Sequence, residues 1–321
     1  MGIVGEVVNV EYILIMPVRN EEERLPLSMQ SIIKQTVTPK VCVIIDDGST
    51  DDTAKIIGKL RENFAWIHCK TLPKDTSDTW TFSWSGNLHF AEVVKAGFEY
   101  AQEICSQDGI SYECLGKVDA DMILPEDYFE RLIERFQKEP QLGIASGEIW
   151  YAELKNNAAD LDKAAPSRIL DDCPHDGARL IRKACFDDIG GIPLVHNTDG
   201  VALAKARLRG WKTRCFKEIK VFATRRTLGG GNLWRGYKLA GFEAYCLDYH
   251  PLLVLLSAGD TLLKRPYYPA FAWLYGYLLG FFHRQEKVKD PELRHYYHHQ
   301  RLSEIKRILL SKLTRGFKRS V

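Results

Sequence analysis

No C-x-x-C pair occurs anywhere in this sequence. Its eight cysteines (Cys42, Cys69, Cys105, Cys114, Cys173, Cys185, Cys215 and Cys246) are scattered, several of them inside apolar runs. Zinc sites and disulfide frameworks need closer or more regular spacing, so reduced, mostly buried thiols of a cytosolic protein are expected. Net charge is nearly absent as well: 44 basic against 42 acidic residues leave +2, which gives the chain no general attraction to nucleic acid. Long apolar runs are missing too. The richest, residues 267–282, falls short of the roughly 20 residues of a membrane-spanning helix. The opening "MGIVGEVVNVEYILIMP" has no basic start and is interrupted by Glu6 and Glu11, so no secretory signal is expected. Its Met-Gly start meets Glu6 where a myristoylation motif asks for serine or threonine.

What is present is the composition of a folded protein, 45% hydrophobic and 27% charged over 321 residues, enough for about two domains of roughly 150 residues each. "YILIMPV" (12–18) is a short continuous apolar run, the pattern of a strand buried on both faces. A helix follows in "NEEERLPLSMQSIIKQ". "KVCVIIDDGSTDDTAKIIGKL" repeats the unit, with Thr50 or Asp51 as the expected N-cap of its helix. "AWIHCK" reads as a third strand, "FAEVVKAGFEYAQEI" as a helix and "YECLGKVDAD" as a fourth strand. Strands alternating with helices imply an α/β domain built on a parallel sheet. In such sheets ligands bind beyond the carboxyl ends of the strands, and "DDGS" and "DAD" both fall there.

Between these acids, "TLPKDTSDTWTFSWSGNLHF" has no period and reads as a loop over the site. "LGIASGEIWYAEL" reads as a further strand, and "KNNAADLDKAAPSRILDDCPHDG" as polar and irregular. "ARLIRKACFDDIGGIP" reads as a short helix ending at Gly190 and Gly191. Another helix is expected from Thr198 or Asp199 to Gly210, then a strand in "TRCFKEIKVFAT" and a glycine-rich loop in "RRTLGGGNLWRG".

Two carboxylates spaced i, i+2 at a strand end can face one ligand if the chain turns between them. Asp119 and Asp121 have that spacing. Hard cations such as Mg²⁺ or Mn²⁺ take one or two carboxylates plus substrate phosphates, and a cation there would make a diphosphate a better leaving group. The competing explanation is a turn after a strand, and "DDGST" is equally a good turn-and-cap sequence.

Taken in order, "MPVRNEEERLP", "VIIDDGSTDDT", "KVDADMILPED" and "IGGIP…NTDGVALAKARLRGW" resemble the family 2 glycosyltransferases of GT-A type over roughly residues 10–225. The first two stretches are also similar to polyprenyl-phosphate sugar synthases. The resemblance implies a GT-A nucleotide-sugar fold with a mostly parallel central sheet and helices on both faces. It also implies a nucleoside-diphosphate sugar donor, a divalent cation (Mn²⁺ or Mg²⁺), and inversion at the anomeric carbon. Carried over, Pro17, Arg19 and Glu21 would line the nucleotide-base site, with Asp46 and Asp47 flanking it. Asp119 would contact ribose or the metal's water, and Asp121 would ligate the metal. Asp199 takes the place of the catalytic base, where the family often has "ED" and this chain has "TD". Arg225 and Arg226 would bind the diphosphate, and "TLGGGN" would close over it. His196, a lone loop histidine, is more readily structural than a ligand. The competing functions are a sugar-nucleotide nucleotidyltransferase, whose glycine-rich triphosphate loop is absent from "PVRNEEERLP", and a silent scaffold at the membrane, which intact acids at three motifs argue against.

The expected division is a GT-A domain over 1–225 and a helical C-terminal region over 226–321. In the latter, 251–256 with 262–263 and then 267–282 are apolar, the second dense in Tyr, Trp and Phe, as suits a membrane–water boundary. From Arg301 onward seven basic residues face one acid, Glu304. With Leu302, Ile305, Leu309, Leu313 and Phe317 at helical spacing, the tail reads as a basic amphipathic helix suited to an anionic surface. A peripheral place on the inner face of a membrane and a glycan or lipid-linked acceptor, such as a polyprenyl phosphate, follow as expectations.

Overall fold

The computed structural model describes residues 10–73, 86–155, 158–166, 173–225, 233–263 and 265–303. They divide into two compact units. The first holds the described residues up to 73 with 89–194 and 205–225; the second holds 86–88, 195–204 and those from 233 onward.

The first unit is a nine-stranded sheet. Its strands are β1 (Tyr12–Val18), β2 (Val41–Asp46), β3 (Ile67–Thr71), β4 (Cys114–Val118), β5 (Met122–Ile123), β6 (Leu142–Lys155), β7 (Ala158–Pro166), β8 (Ala178–Arg182) and β9 (Lys212–Ala223). They lie in the order β3-β2-β1-β4-β8-β6-β9-β5, with β7 beside β6. β3, β2, β1 and β4 run parallel, the crossovers including α1 (Leu25–Ile33), α2 (Thr53–Asn63) and α3 (Gly86–Asp108). Beyond β4 the pairing turns antiparallel at β8, and β6 returns to parallel with β9. All seven residues of β1 are buried, as a central strand covered on both faces requires. Each of its large apolar side chains contributes roughly 1.5–3 kcal/mol. Pro17 is tolerated in this central strand because pairing with β4 ends at Ile15 and Lys117, before the missing N–H would be needed.

Several expectations need correction. The α2 helix begins at Thr53 with Asp52 as N-cap, not Thr50 or Asp51, although the Asp51 carboxylate accepts from the Thr53 amide at 3.0 Å. The α3 helix starts at Gly86, so it takes over the end of the expected loop, whose residues 74–85 lie outside the described set. The "irregular" polar stretch contains β7, whose backbone pairs with β6. "ARLIR" is strand β8, wedged between β4 and β6, and only Lys183–Asp188 (α5) is helical. The amphipathic helix α4 (Tyr128–Lys138) and the two-residue β5 passed unnoticed in the sequence.

The α6 helix spans Thr198–Leu208. Only its residues up to 204 belong to the second unit, which goes on with α7 (Leu233–Cys246), α8 (Pro251–Leu262), α9 (Tyr268–Phe282), α10 (Pro291–His295) and a π-turn over Tyr296–Gln300. α7 and α9 meet backbone to backbone. A Cβ on Gly276 would collide with the Lys238 carbonyl, and one on Gly241 with that of Trp273. Asp248, at φ 58°, collects Lys287 at 2.6 Å and Arg294 at 2.9 Å. Among the described residues no helix is long and apolar enough to cross a membrane. The tail from 304, the loop 226–232 and Arg226 lie outside those residues. All eight cysteines are free, six of them buried.

Candidate active site

The carboxyl ends of β1, β2 and β4 come together where β1 passes between β2 and β4, the switch point at which open α/β sheets bind ligands. Asp46 ends β2 and Asp47 follows it. The Asp46 carboxylate accepts from the Ser49 amide at 3.0 Å, closing a tight turn in which Gly48 takes φ 69°. Asp47 has no exposed surface. Its carboxylate pairs with Arg19 at 3.3 Å and with His89 Nε2 at 2.9 Å. Arg19, 28 positions from Asp47 in the sequence, is thus brought to the same edge as Asp46 and Asp47.

Glu21 lies just beyond β1 in a backbone turn started by Asn20 at φ 54°. Its amide donates to Thr53 Oγ1 at 2.9 Å, and only 3% of the residue is exposed. Burial raises its pKa, against the pull of Arg225. Arg225 bridges two acids, donating from Nη2 to Glu21 Oε1 at 2.8 Å and from Nε to Asp121 Oδ2 at 3.2 Å. The other carboxylate oxygen, Glu21 Oε2, is buried and accepts no hydrogen bond, its guanidinium neighbour Arg24 standing 3.6 Å away. The Asp121 carbonyl accepts from the Thr224 amide at 2.9 Å and its hydroxyl at 3.1 Å, which moors the end of β9 to the "DAD" turn.

Asp119 donates its amide to the Gly177 carbonyl at 2.8 Å, and Lys117 donates to its Oδ1 at 2.6 Å. Partial burial, together with Asp176 and Asp121 nearby, raises the Asp119 pKa despite the lysine. Lys117 also reaches the Asp176 carboxylate, which pairs in turn with Arg179 at 2.9 Å. His89, Lys117, Asp176 and Arg179 were not singled out in the sequence. Only Lys117 carried a signal there, a charge inside an apolar strand.

In the second unit, Asp199 sits in the first turn of α6. Asn197, at φ 54°, precedes that turn and accepts from the Gly200 amide at 3.1 Å. His196 packs edge-on against Phe242 at 5.6 Å, and burial lowers its pKa.

Among the described residues no group of three or more His, Cys, Asp or Glu side chains is gathered to hold a metal ion. Asp119 and Asp121 still fit a hard divalent cation of the kind that completes its shell with substrate phosphates. Their oxygens are of the right type. The acidic edge already draws the side-chain cations Arg225 and Lys117, and it leaves Glu21 Oε2 without a donor.

Residues 13–159 match the family model "Glycosyl transferase family 2". The chain is 27% identical to a poly-beta-1,6-N-acetyl-D-glucosamine synthase of Staphylococcus aureus over 45% of its own length and 29% of that protein's. With the synthase of the same description from Staphylococcus epidermidis it shares 27% identity over 80% of this chain and 60% of the relative. The chain therefore spans less than two thirds of the length of these relatives. Among solved structures it is similar to a mannosyltransferase from Pyrobaculum calidifontis in complex with GDP-Man and Mn²⁺. There the TM-score is 0.53 and the identity 13%, with 86% of this chain and 88% of the other covered, a likeness of fold. Over residues 13–159 the chain is thus similar to the family 2 glycosyltransferases, on a GT-A-type fold.

Proposed function

We propose that the protein transfers a sugar, with inversion, from a nucleoside-diphosphate sugar to an acceptor hydroxyl, with Asp199 as general base. The observation that carries this is the convergence of Arg19, Glu21, Asp46, Asp47, Asp119 and Asp121 on one strand edge. Pro17, Arg19, Glu21, Asp46 and Asp47 would take the nucleoside, and Asp119 the ribose or a metal-bound water. Asp121, with Asp119, would hold Mn²⁺ or Mg²⁺, which supplies charge neutralisation at the diphosphate. Arg225 and Arg226 would turn to the leaving group, since a guanidinium donates in pairs to phosphate. Asp199 would take the acceptor proton as the oxygen attacks. The GDP-Man of the solved neighbour makes GDP-linked sugars the first donors to try, with UDP-, CDP- and dTDP-linked sugars beside them, and a glycan or lipid-linked acceptor completes the proposal.

A membrane-facing role for the second unit is part of the same proposal. Leu255, Leu263, Phe271, Phe281 and Phe282 are each more than half exposed on or beside α8 and α9, and tyrosines 267, 268 and 275 lie among them, as at a lipid–water boundary.

The test is the thermal midpoint with UDP, GDP, CDP or dTDP, each with Mn²⁺ or EDTA. Ligand at a hundred times its dissociation constant adds about 2.7 kcal/mol. One nucleotide should raise the midpoint, and the rise should vanish with EDTA and in Asp121→Ala. No rise with any nucleotide counts against the proposal.

A further inference from the structure

The Lys117 side chain has no exposed surface, and Arg179 keeps 1%. A buried ammonium is tolerated only when it is paired and hydrogen-bonded. One carboxylate would suffice for that, yet Lys117 has two. Residues i and i+2 of a strand share a face, so Lys117 lies on the side of Asp119 and reaches its Oδ1 at 2.6 Å. From the other direction Asp176 offers its carboxylate and, at 3.3 Å, its carbonyl. The Phe90 ring covers the ammonium at 5.0 Å, and Arg179 holds Asp176 from β8 at 2.9 Å. A line of alternating charges, Arg179–Asp176–Lys117–Asp119, therefore runs from the buried sheet to the strand edge. At its end Asp119 still has 30% of its side chain exposed.

We infer that Lys117, braced by Asp176, is a positioning residue that fixes the Asp119 carboxylate for a nucleoside-diphosphate ligand. Lys117 touches no ligand itself. It binds one carboxylate oxygen from below, which sets the rotamer of Asp119 and leaves the outward part of the group to the donor. This rests on the donor-site proposal above.

The experiment is a double-mutant cycle on binding. The affinity of the full chain for UDP and for GDP, each with Mn²⁺, is measured by titration calorimetry in wild type, Lys117→Met, Asp119→Asn and the double variant. Each single change should weaken binding by roughly tenfold to a hundredfold, the usual cost of losing a partner behind a ligating group. The double variant should bind no worse than the weaker single variant, because Lys117 acts through Asp119. A purely structural lysine would lower stability and leave affinity unchanged, or its loss would multiply with that of Asp119; either result overturns the inference. Lys117→Met/Asp176→Asn removes one buried charge of each sign. It provides the same comparison, with and without Asp119→Asn, should the single lysine variant not fold. If wild type binds a nucleotide and Asp119→Asn binds it equally well, the role given to Asp119 fails and Lys117's with it. If wild type binds neither of these and neither CDP nor dTDP, the donor-site proposal itself fails; if it binds one of the latter two, the cycle is run with that nucleotide.

Discussion

Arg225 is the cation on which two of the site acids depend. Its guanidinium spans Glu21 and Asp121, so Arg225→Gln leaves two buried carboxylates short of a partner. A loss of about 1–3 kcal/mol in urea unfolding is expected, and Arg225→Gln/Glu21→Gln should recover part of it. A second prediction concerns acid. Burial lowers the pKa of His175 from 6.5 to about 4, so the unfolded chain takes the proton first. The stability this group contributes is intact above about pH 6.5 and is lost as pH falls from there towards 4, at roughly 1.4 kcal/mol per unit. Chemical unfolding of wild type and His175→Gln across that range should show the shallower acid limb in the variant; parallel limbs would remove His175 as a cause. Asp46, Asp47, Asp119 and Asp121 were legible in the sequence because each pair falls at or just beyond the end of an apolar strand. His89 and Asp176 were not, since their partners Asp47 and Lys117 are 42 and 59 positions away and only folding brings them near.

Elements were legible where the hydrophobic period had one meaning. β1 and β2 are continuous apolar runs between turn residues, and no other element fits them. "ARLIRKACFDD" was ambiguous because a five-residue strand passes straight into a helix at Lys183, leaving too few residues for either period to show. β7 was hidden for another reason. It is an edge strand of alanine and charged residues, and such strands are defined by their partner's backbone more than by their own side chains. Close packing between elements gives the third prediction. The meeting of α7 and α9 at Gly241 and Gly276 leaves no room for a side chain. Gly276→Ala should therefore destabilise the helical unit by about 1–3 kcal/mol through overpacking, read as an earlier loss of near-ultraviolet circular dichroism. Gly259, whose Cβ would meet nothing within 4 Å, is the control, and Gly259→Ala should leave that signal unchanged or stabilise it slightly.

At the scale of the whole molecule, the two units differ in what they expose. The first is an enzyme fold with its acids at the sheet edge. The second carries large apolar side chains into solvent, and Leu263 is 85% exposed. Vesicles containing phosphatidylserine should sediment wild type, and Leu263→Ser/Phe271→Ser should stay largely in the supernatant. Truncation after residue 300 tests the basic tail separately. Equal sedimentation of all three chains would show that neither this apolar face nor the tail holds the protein to the vesicle. The free thiols carry a last consequence. Burial pushes Cys42, Cys114, Cys185 and Cys246 up to about 12 and Cys105 to about 11, which leaves almost no thiolate at neutral pH. The first four lie on β2, β4, α5 and α7, so they sample both units. Alkylation at each position then proceeds only as fast as its surroundings open. The chain comes with its own set of probes, and mass spectrometry of a timed iodoacetamide pulse would read how readily each unit opens without engineering a new cysteine.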